Sequence, residues 1–168
     1  QQKQSLDLRR QTDELKQYFS PRVVAALTVS DIEEKLKPRV VDVTVLFCDI
    51  RGFSLRGEKM AHDLEALLER CSQALQLMTH HILEFGGSIS DFQGDAALGY
   101  WGWPVPPPDG PLSPCKAALA IHAELAKARQ IENHPLADFQ VGIGLAHGPA
   151  IAGKIGSKVQ PKIGVFGP

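Results

Sequence analysis

The chain has 168 residues, of which 43% are hydrophobic and 22% charged, and a net charge of −1. This balance suits one α/β or α+β domain with a full core and an appendage, and it excludes a disordered chain or a broad basic field for nucleic acid. No apolar run nears the roughly 18 residues that a bilayer-spanning helix needs, and the opening residues lack the apolar stretch of a signal peptide.

Residues 1–27 open polar and helical. Leu8, Thr12, Leu15 and Phe19 step by four, three and four, the spacing of a two-stranded coiled-coil seam, with a solvated amphipathic arm as the other reading. Ser20-Pro21 is an N-cap followed by proline at the first helical position, opening a short helix through Val23, Val24 and Leu27. Ser30 with Glu33 forms a capping box for a further turn before Lys37-Pro38.

Val40 to Ser54 reads VVDVTVLFCDIRGFS. Val41, Val43, Val45 and Phe47 alternate with Asp42, Thr44, Leu46 and Cys48, which predicts a strand with one face in a core. The strand ends at Asp49, and Gly52 and Ser54 follow. Leu64, Leu67, Leu68, Cys71, Leu75, Met78, Ile82 and Phe85 then form one apolar stripe on a long helix, stopped by Gly86-Gly87. His80 and His81 lie at its C-terminal pole, with no third ligand spaced to join them in holding a metal.

Residues 86–102, GGSISDFQGDAALGYWG, predict a strand, a Gly94-Asp95 turn and a second strand. Six prolines between Pro104 and Pro114 mark an irregular surface connection. Ser113-Pro114 repeats the cap-and-proline start for a helix carrying Cys115, Ala118, Leu119, Ile121, His122, Leu125 and Ala126 on its packed face, His122 being a core imidazole there. Phe139 to Leu145 is a strand whose alternate glycines let a backbone or ligand approach. His147-Gly148-Pro149 is expected to turn, and Ala150 to Lys154 to return as a strand ending at Gly153. Lys162 to Phe166 is a final apolar strand. Cys48, Cys71 and Cys115 lack CxxC spacing and fall in apolar contexts, which predicts buried thiols in a reducing, cytoplasmic setting.

Two acidic residues carry the candidate chemistry. An Asp after a strand is commonly a turn former or helix cap. Asp49, however, precedes a glycine turn that can offer N–H groups to an anion, and a carboxylate beside an anion is how Mg²⁺ is held against phosphate. If the 86–102 hairpin lies beside the Asp49 strand, Asp95 reaches the same point, and the two carboxylates share a pair of divalent cations.

LFCDIRGFS at 46–54, FQGDAALGYWG at 92–102 and VGIGLAHGPAIAGKIGS at 141–157 together resemble the successive signatures of class III adenylyl/guanylyl cyclase catalytic domains. YFSPRVVAAL at 18–27 resembles the helical transducer before many bacterial members. The resemblance implies an α+β fold derived from the ferredoxin-like arrangement, an antiparallel-rich sheet with helices packed on it, in a head-to-tail homodimer. It divides the chain into a helical or coiled-coil arm at 1–38 and a catalytic domain at 39–168 whose C-terminal part, with a transition-state Asn and Arg, lies beyond Pro168. It implies an upstream sensory domain and conversion of ATP or GTP to a 3′,5′-cyclic nucleotide and pyrophosphate. By the family pattern Asp49 and Asp95 are the catalytic carboxylates, binding two Mg²⁺ or Mn²⁺ with the Ile50 carbonyl. Arg51, Gly52, Phe53 and Ser54 lie over the β- and γ-phosphates.

The base-recognition positions depart from the pattern. Adenylyl cyclases place lysine, and guanylyl cyclases glutamate, where this chain has Asp91. The partner position, Asp, Thr or Ser in adenylyl cyclases, is Gly164. Three expectations follow: an adenylyl cyclase, favoured by the family; a guanylyl cyclase, favoured by the charge of Asp91; or a degenerate cyclase fold kept for dimerisation or nucleotide sensing. Two facing carboxylates, which repel each other without cations, argue against the third.

Overall fold

The structure is a computed structural model and describes residues 10, 12–13, 15–16, 19–28, 32–52, 63–156 and 161–167. In chain order the elements are α1 (Pro21–Thr28), α2 (Ile32–Lys35), β1 (Arg39–Ile50), α3 (Leu64–Glu84), β2 (Ser88–Gln93), β3 (Ala96–Trp101), α4 (Leu112–Ala128), β4 (Val141–Gly156) and β5 (Pro161–Phe166). The strands form one sheet in the order β2-β3-β1-β4-β5, with every neighbouring pair antiparallel. The expected α+β class with an antiparallel sheet and packed helices is what the chain forms.

β1 is the central strand, and both of its faces are used, where the sequence predicts only one. On one side Leu46, Cys48 and Ile50 pack beneath α3 and α4 with Met78, Ile82, Trp101, Ile121, Leu125 and Phe139. On the other, Val43 joins Phe19, Val23, Leu27, Tyr100 and Trp103, with Val41, Val45, Ile163 and Val165 partly buried against them. Phe47, on this second face, is 40% exposed.

Leu15 and Phe19 are 3% and 2% exposed. Phe19 meets the Trp103 ring edge-on at 6.1 Å. These two positions of the expected coiled-coil seam thus face the chain's own second core, while Leu8 lies outside the described residues. The α1 start is as expected, with Ser20 Oγ accepting from the Val23 N–H at 3.4 Å. Ser30 of the predicted capping box lies outside the described residues.

α3 is capped by Asp63, whose carboxylate accepts from the Ala66 N–H at 3.1 Å, and it ends at Phe85. Gly86 supplies the left-handed residue, φ 80°, that ends the helix. The Trp101 indole donates to the Phe85 carbonyl at 3.0 Å, tying that end to β3. Leu64 and Leu68 of the predicted stripe are exposed, and Ala74 and Leu77 take their place in the core. α4 begins one residue before the expected cap: Leu112 is its first residue, and the buried Ser113 hydroxyl accepts from the Asp109 N–H instead. Cys115 and His122 are exposed, so neither belongs to the apolar face.

β4 corrects another expectation. It runs unbroken through His147-Gly148-Pro149, where the sequence suggests a turn. Pro149 pairs with Asp42 of β1, and β5 joins the other edge of β4 only from Ile151 onward.

Candidate active site

The two acidic residues meet through the central pairing. Asp49 is opposite Ala96 of β3 on one side and Gly142 of β4 on the other. Asp95 occupies the β2–β3 turn beside Ala96, after Gly94 at φ 63°. The Ile50 N–H donates to the Asp95 carbonyl at 3.2 Å, which fixes the turn against the end of β1. Both aspartates are half-buried, and among the described residues neither carboxylate has a hydrogen-bond or ion-pair partner. Half-buried carboxylates without donors are costly unless a cation meets them.

Gly142 makes the room. A Cβ built there would lie 2.7 Å from Asp49 Oδ1 and 3.2 Å from Arg51 Nε. Only glycine leaves the Asp49 carboxylate and the Arg51 guanidinium their positions, so this cradle fits a group that takes oxygen ligands from Asp49. The alternate glycines of residues 141–145 hint at close approach, yet only the strand register tells which glycine faces Asp49. On the far side of β1, burial and the adjoining Asp49 charge push the Cys48 thiol up to about 12. The Cys71 thiol of α3 is raised by burial and then by the Asp95 charge. Both thiols stay protonated and take no part in nucleophilic chemistry at neutral pH.

After Asp49 the chain turns outward. Ile50 is buried, whereas Arg51 and Gly52 are exposed, Gly52 at φ 69°. The Arg51 N–H donates to the Gln140 carbonyl at 2.8 Å. Since the Ile50 and Arg51 amides are committed to the fold, backbone donors for an anion begin at Gly52. Phe53 and Ser54 lie outside the described residues.

Asp91 stands in register with Leu98 of β3, which pairs in turn with Phe47 of β1. Its Oδ1 accepts from the Phe92 N–H at 2.9 Å and its Oδ2 from Lys162 Nζ of β5 at 2.6 Å. These bonds, that to Lys162 foremost, hold its carboxyl below the usual carboxylate range. Gly164, two residues beyond Lys162, is buried, and a Cβ on it would come 3.2 Å from Ser90 Oγ. The two positions that the resemblance marks for base recognition are therefore neighbours, and Lys162, which sequence spacing does not single out, pairs with Asp91 beside them.

His80 and His81 have a third neighbour after all, Glu84, and the ligand atoms of the three lie within 4.8 Å of one another. His81 Nδ1 is 3.0 Å from Glu84, and its Nε2 meets Glu124 of α4. Both ring nitrogens of His81 are thus engaged by carboxylates, Glu84 on its own helix and Glu124 across the α3–α4 seam, which accounts for the cluster as a helix-to-helix clamp.

The likenesses to known proteins agree with this layout. The family model for the adenylate and guanylate cyclase catalytic domain matches residues 36–168. An adenylate cyclase of Mycobacterium tuberculosis is 30% identical over 149 residues, covering 83% of this chain and 32% of that protein. Adenylate cyclase 1 of Rhizobium meliloti is 26% identical over 118 residues, 70% of this chain and 17% of that protein. The chain thus spans a third or less of the length of either relative. Among solved structures, a bacterial light-regulated adenylyl cyclase shares the fold with a TM-score of 0.76 at 23% identity, covering 98% of this chain and 47% of that one. The guanylyl cyclase Cya2 superposes with a TM-score of 0.67 at 28% identity over 78% of this chain and 65% of that one. By the match of the family model and the identity to the mycobacterial relative, this chain belongs to the adenylate and guanylate cyclase catalytic domain family.

Proposed function

We propose that residues 39–168 belong to the catalytic domain of a nucleotidyl cyclase that converts ATP to 3′,5′-cyclic AMP and pyrophosphate. The ribose 3′-oxygen forms a bond to the α-phosphorus, the bond from that phosphorus to the bridging oxygen of the β-phosphate breaks, and the hydroxyl proton leaves to solvent. The convergence of Asp49 and Asp95, half-buried and without donors among the described residues, carries this reading.

Asp49, Asp95 and the Ile50 carbonyl would hold two divalent cations. When bound, such ions acidify the attacking hydroxyl and neutralise charge on the departing pyrophosphate. The chain itself orients these oxygens by the pairing of β1 with β3 and β4. Gly142 keeps the Asp49 carboxylate unobstructed, and the exposed Arg51 guanidinium offers charge to the triphosphate beside it. Gly52, Phe53 and Ser54 complete the phosphate-binding turn in this reading.

Dimerisation is part of the same proposal. Phe47, exposed and two residues before Asp49 on one face of β1, gives a second copy an apolar surface to close over. GTP is the second reading, favoured by the anionic Asp91 where guanylyl cyclases carry glutamate.

The test is to supply the full-length protein with Mn²⁺ and either ATP or GTP and to measure cyclic nucleotide. Cyclic AMP from the wild type and none above background from Asp49→Ala is the expected result. Silence with both nucleotides, from protein that melts cooperatively, overturns the proposal.

A further inference from the structure

The C-terminal end of α3 gathers His80, His81 and Glu84, whose ligand atoms lie within 4.8 Å of one another. Glu84 is four residues on from His80 and three from His81, so it falls between them on the helix surface and one carboxylate faces both rings. His81 Nδ1 stands 3.0 Å and His80 Nε2 3.8 Å from the same oxygen, Glu84 Oε2. The side chains of His80 and Glu84 are 69% and 51% exposed, whereas that of His81 is 12% exposed and held in place. The cluster is therefore open to water on one side and fixed on the other.

Hydrogen bonding accounts for only part of it. A neutral imidazole carries one N–H, yet His81 has carboxylate oxygens at both nitrogens, Glu84 at Nδ1 and Glu124 of α4 at Nε2. With the proton on Nε2 toward Glu124, the Nδ1 lone pair faces a lone pair of Glu84. A second proton would satisfy that contact and still leave His80 Nε2 beyond hydrogen-bond reach of Glu84. One cation among the three atoms serves all of them. In a tetrahedral site with bonds of ~2.0–2.1 Å, neighbouring ligand atoms are about 3.3 Å apart. The separations of 3.0 and 3.8 Å bracket that spacing.

We propose that His80 Nε2, His81 Nδ1 and the Glu84 carboxylate bind a zinc ion, with water as the fourth ligand on the open side. Two imidazoles and a carboxylate suit zinc, whereas Mg²⁺ and Ca²⁺ call for larger sets of oxygens. Glu124 is a positioning residue: by accepting from the Nε2–H it turns the Nδ1 lone pair toward the ion, as carboxylates do behind metal-binding histidines. The ion ties the end of α3 to α4 through His81, and the negative pole of the α3 dipole favours a cation there. His80 is nine residues along α3 from Cys71, the thiol that feels the Asp95 charge. The zinc site thus stands roughly 13 Å along the helix from the level of Asp95 and is separate from the candidate active site.

The test titrates metal-free, full-length protein with zinc chloride in excess Mg²⁺, which competes for the oxygen ligands of Asp49 and Asp95, and reads uptake by calorimetry beside thermal melts. Wild type takes up one more zinc ion per chain than His80→Ala or Glu84→Gln, and micromolar zinc raises its melting temperature further than theirs. Glu124→Gln keeps all three ligands and binds that ion about 10–100-fold more weakly. Melts in the presence of chelator confirm that the variants fold, as the exposure of His80 and Glu84 leads one to expect. Equal uptake by wild type and the two ligand variants, or uptake only at millimolar zinc as at an adventitious surface site, overturns the proposal. An unchanged affinity in Glu124→Gln overturns the role given to Glu124.

Discussion

Replacing Gly142 by alanine separates the presence of the Asp49 carboxylate from its position. The added methyl would sit 2.7 Å from Oδ1, where ordinary contact begins at 3.4 Å. The carboxylate must therefore retreat by about 0.7 Å or rotate away, and displacements of this order typically cost about a hundredfold in rate, ~2.7 kcal/mol on the barrier. Gly142 does not have a positive φ. Alanine is therefore compatible with its backbone, and a small gain from a less flexible unfolded chain offsets part of the strain, keeping stability within about 1 kcal/mol of wild type. Gly148→Ala is the control, since a Cβ there meets nothing within 4 Å on the same strand. Cyclic nucleotide formation with Mn²⁺, read beside thermal melts, should show Gly142→Ala about a hundredfold down and Gly148→Ala within twofold of wild type. Undiminished activity in a well-folded Gly142→Ala protein would refute the claim that the placement of Asp49 governs the reaction.

Three further outcomes follow from the packing and the charges. Ile82 is fully buried against Gly87 and Gly99, so Ile82→Ala should destabilise the fold by about 2–5 kcal/mol in denaturant melts. Iodoacetamide at neutral pH should label Cys115 alone in the native protein, because Cys48 and Cys71 are buried with raised thiol pKa values; mass spectrometry of digests reads the adducts. Asp91 is held below its ordinary value of 3.8 chiefly by Lys162. The depressed folded-state pKa means that its small stabilising effect is present above the unfolded-state value and lost as pH falls through the folded one. An NMR titration of Asp91 should therefore move upward in Lys162→Met, and an unmoved midpoint would deny the pairing.

What the sequence makes legible is local. The alternation of residues 40–50, the Gly94-Asp95 turn and the stop at Gly86 each depend on neighbours in the chain, and each appears in the fold where expected. What escapes is decided by contacts between distant segments. β1 buries its second face because α1 and β5 cover it, and nothing within 40–50 says so. Pro149 looks like a turn former, yet the continuous pairing of β4 with β1, Pro149 opposite Asp42, carries the strand straight through it. The approach of the Asp95 turn to the end of β1 is readable because a hairpin beside a strand is a short inference. Asp91 with Lys162 is not, since that bond depends on the curl of the whole sheet.

The central claim is that Asp49 and Asp95 work as one unit holding cations against a triphosphate, and a double-mutant comparison tests it most directly. Cyclic nucleotide formation by Asp49→Ala, Asp95→Ala and the double variant should fall by about a thousandfold or more in each single variant, with little further loss in the double, as expected when residues serve one centre. Activity near wild type in either single variant, or losses that simply multiply in the double, would contradict it.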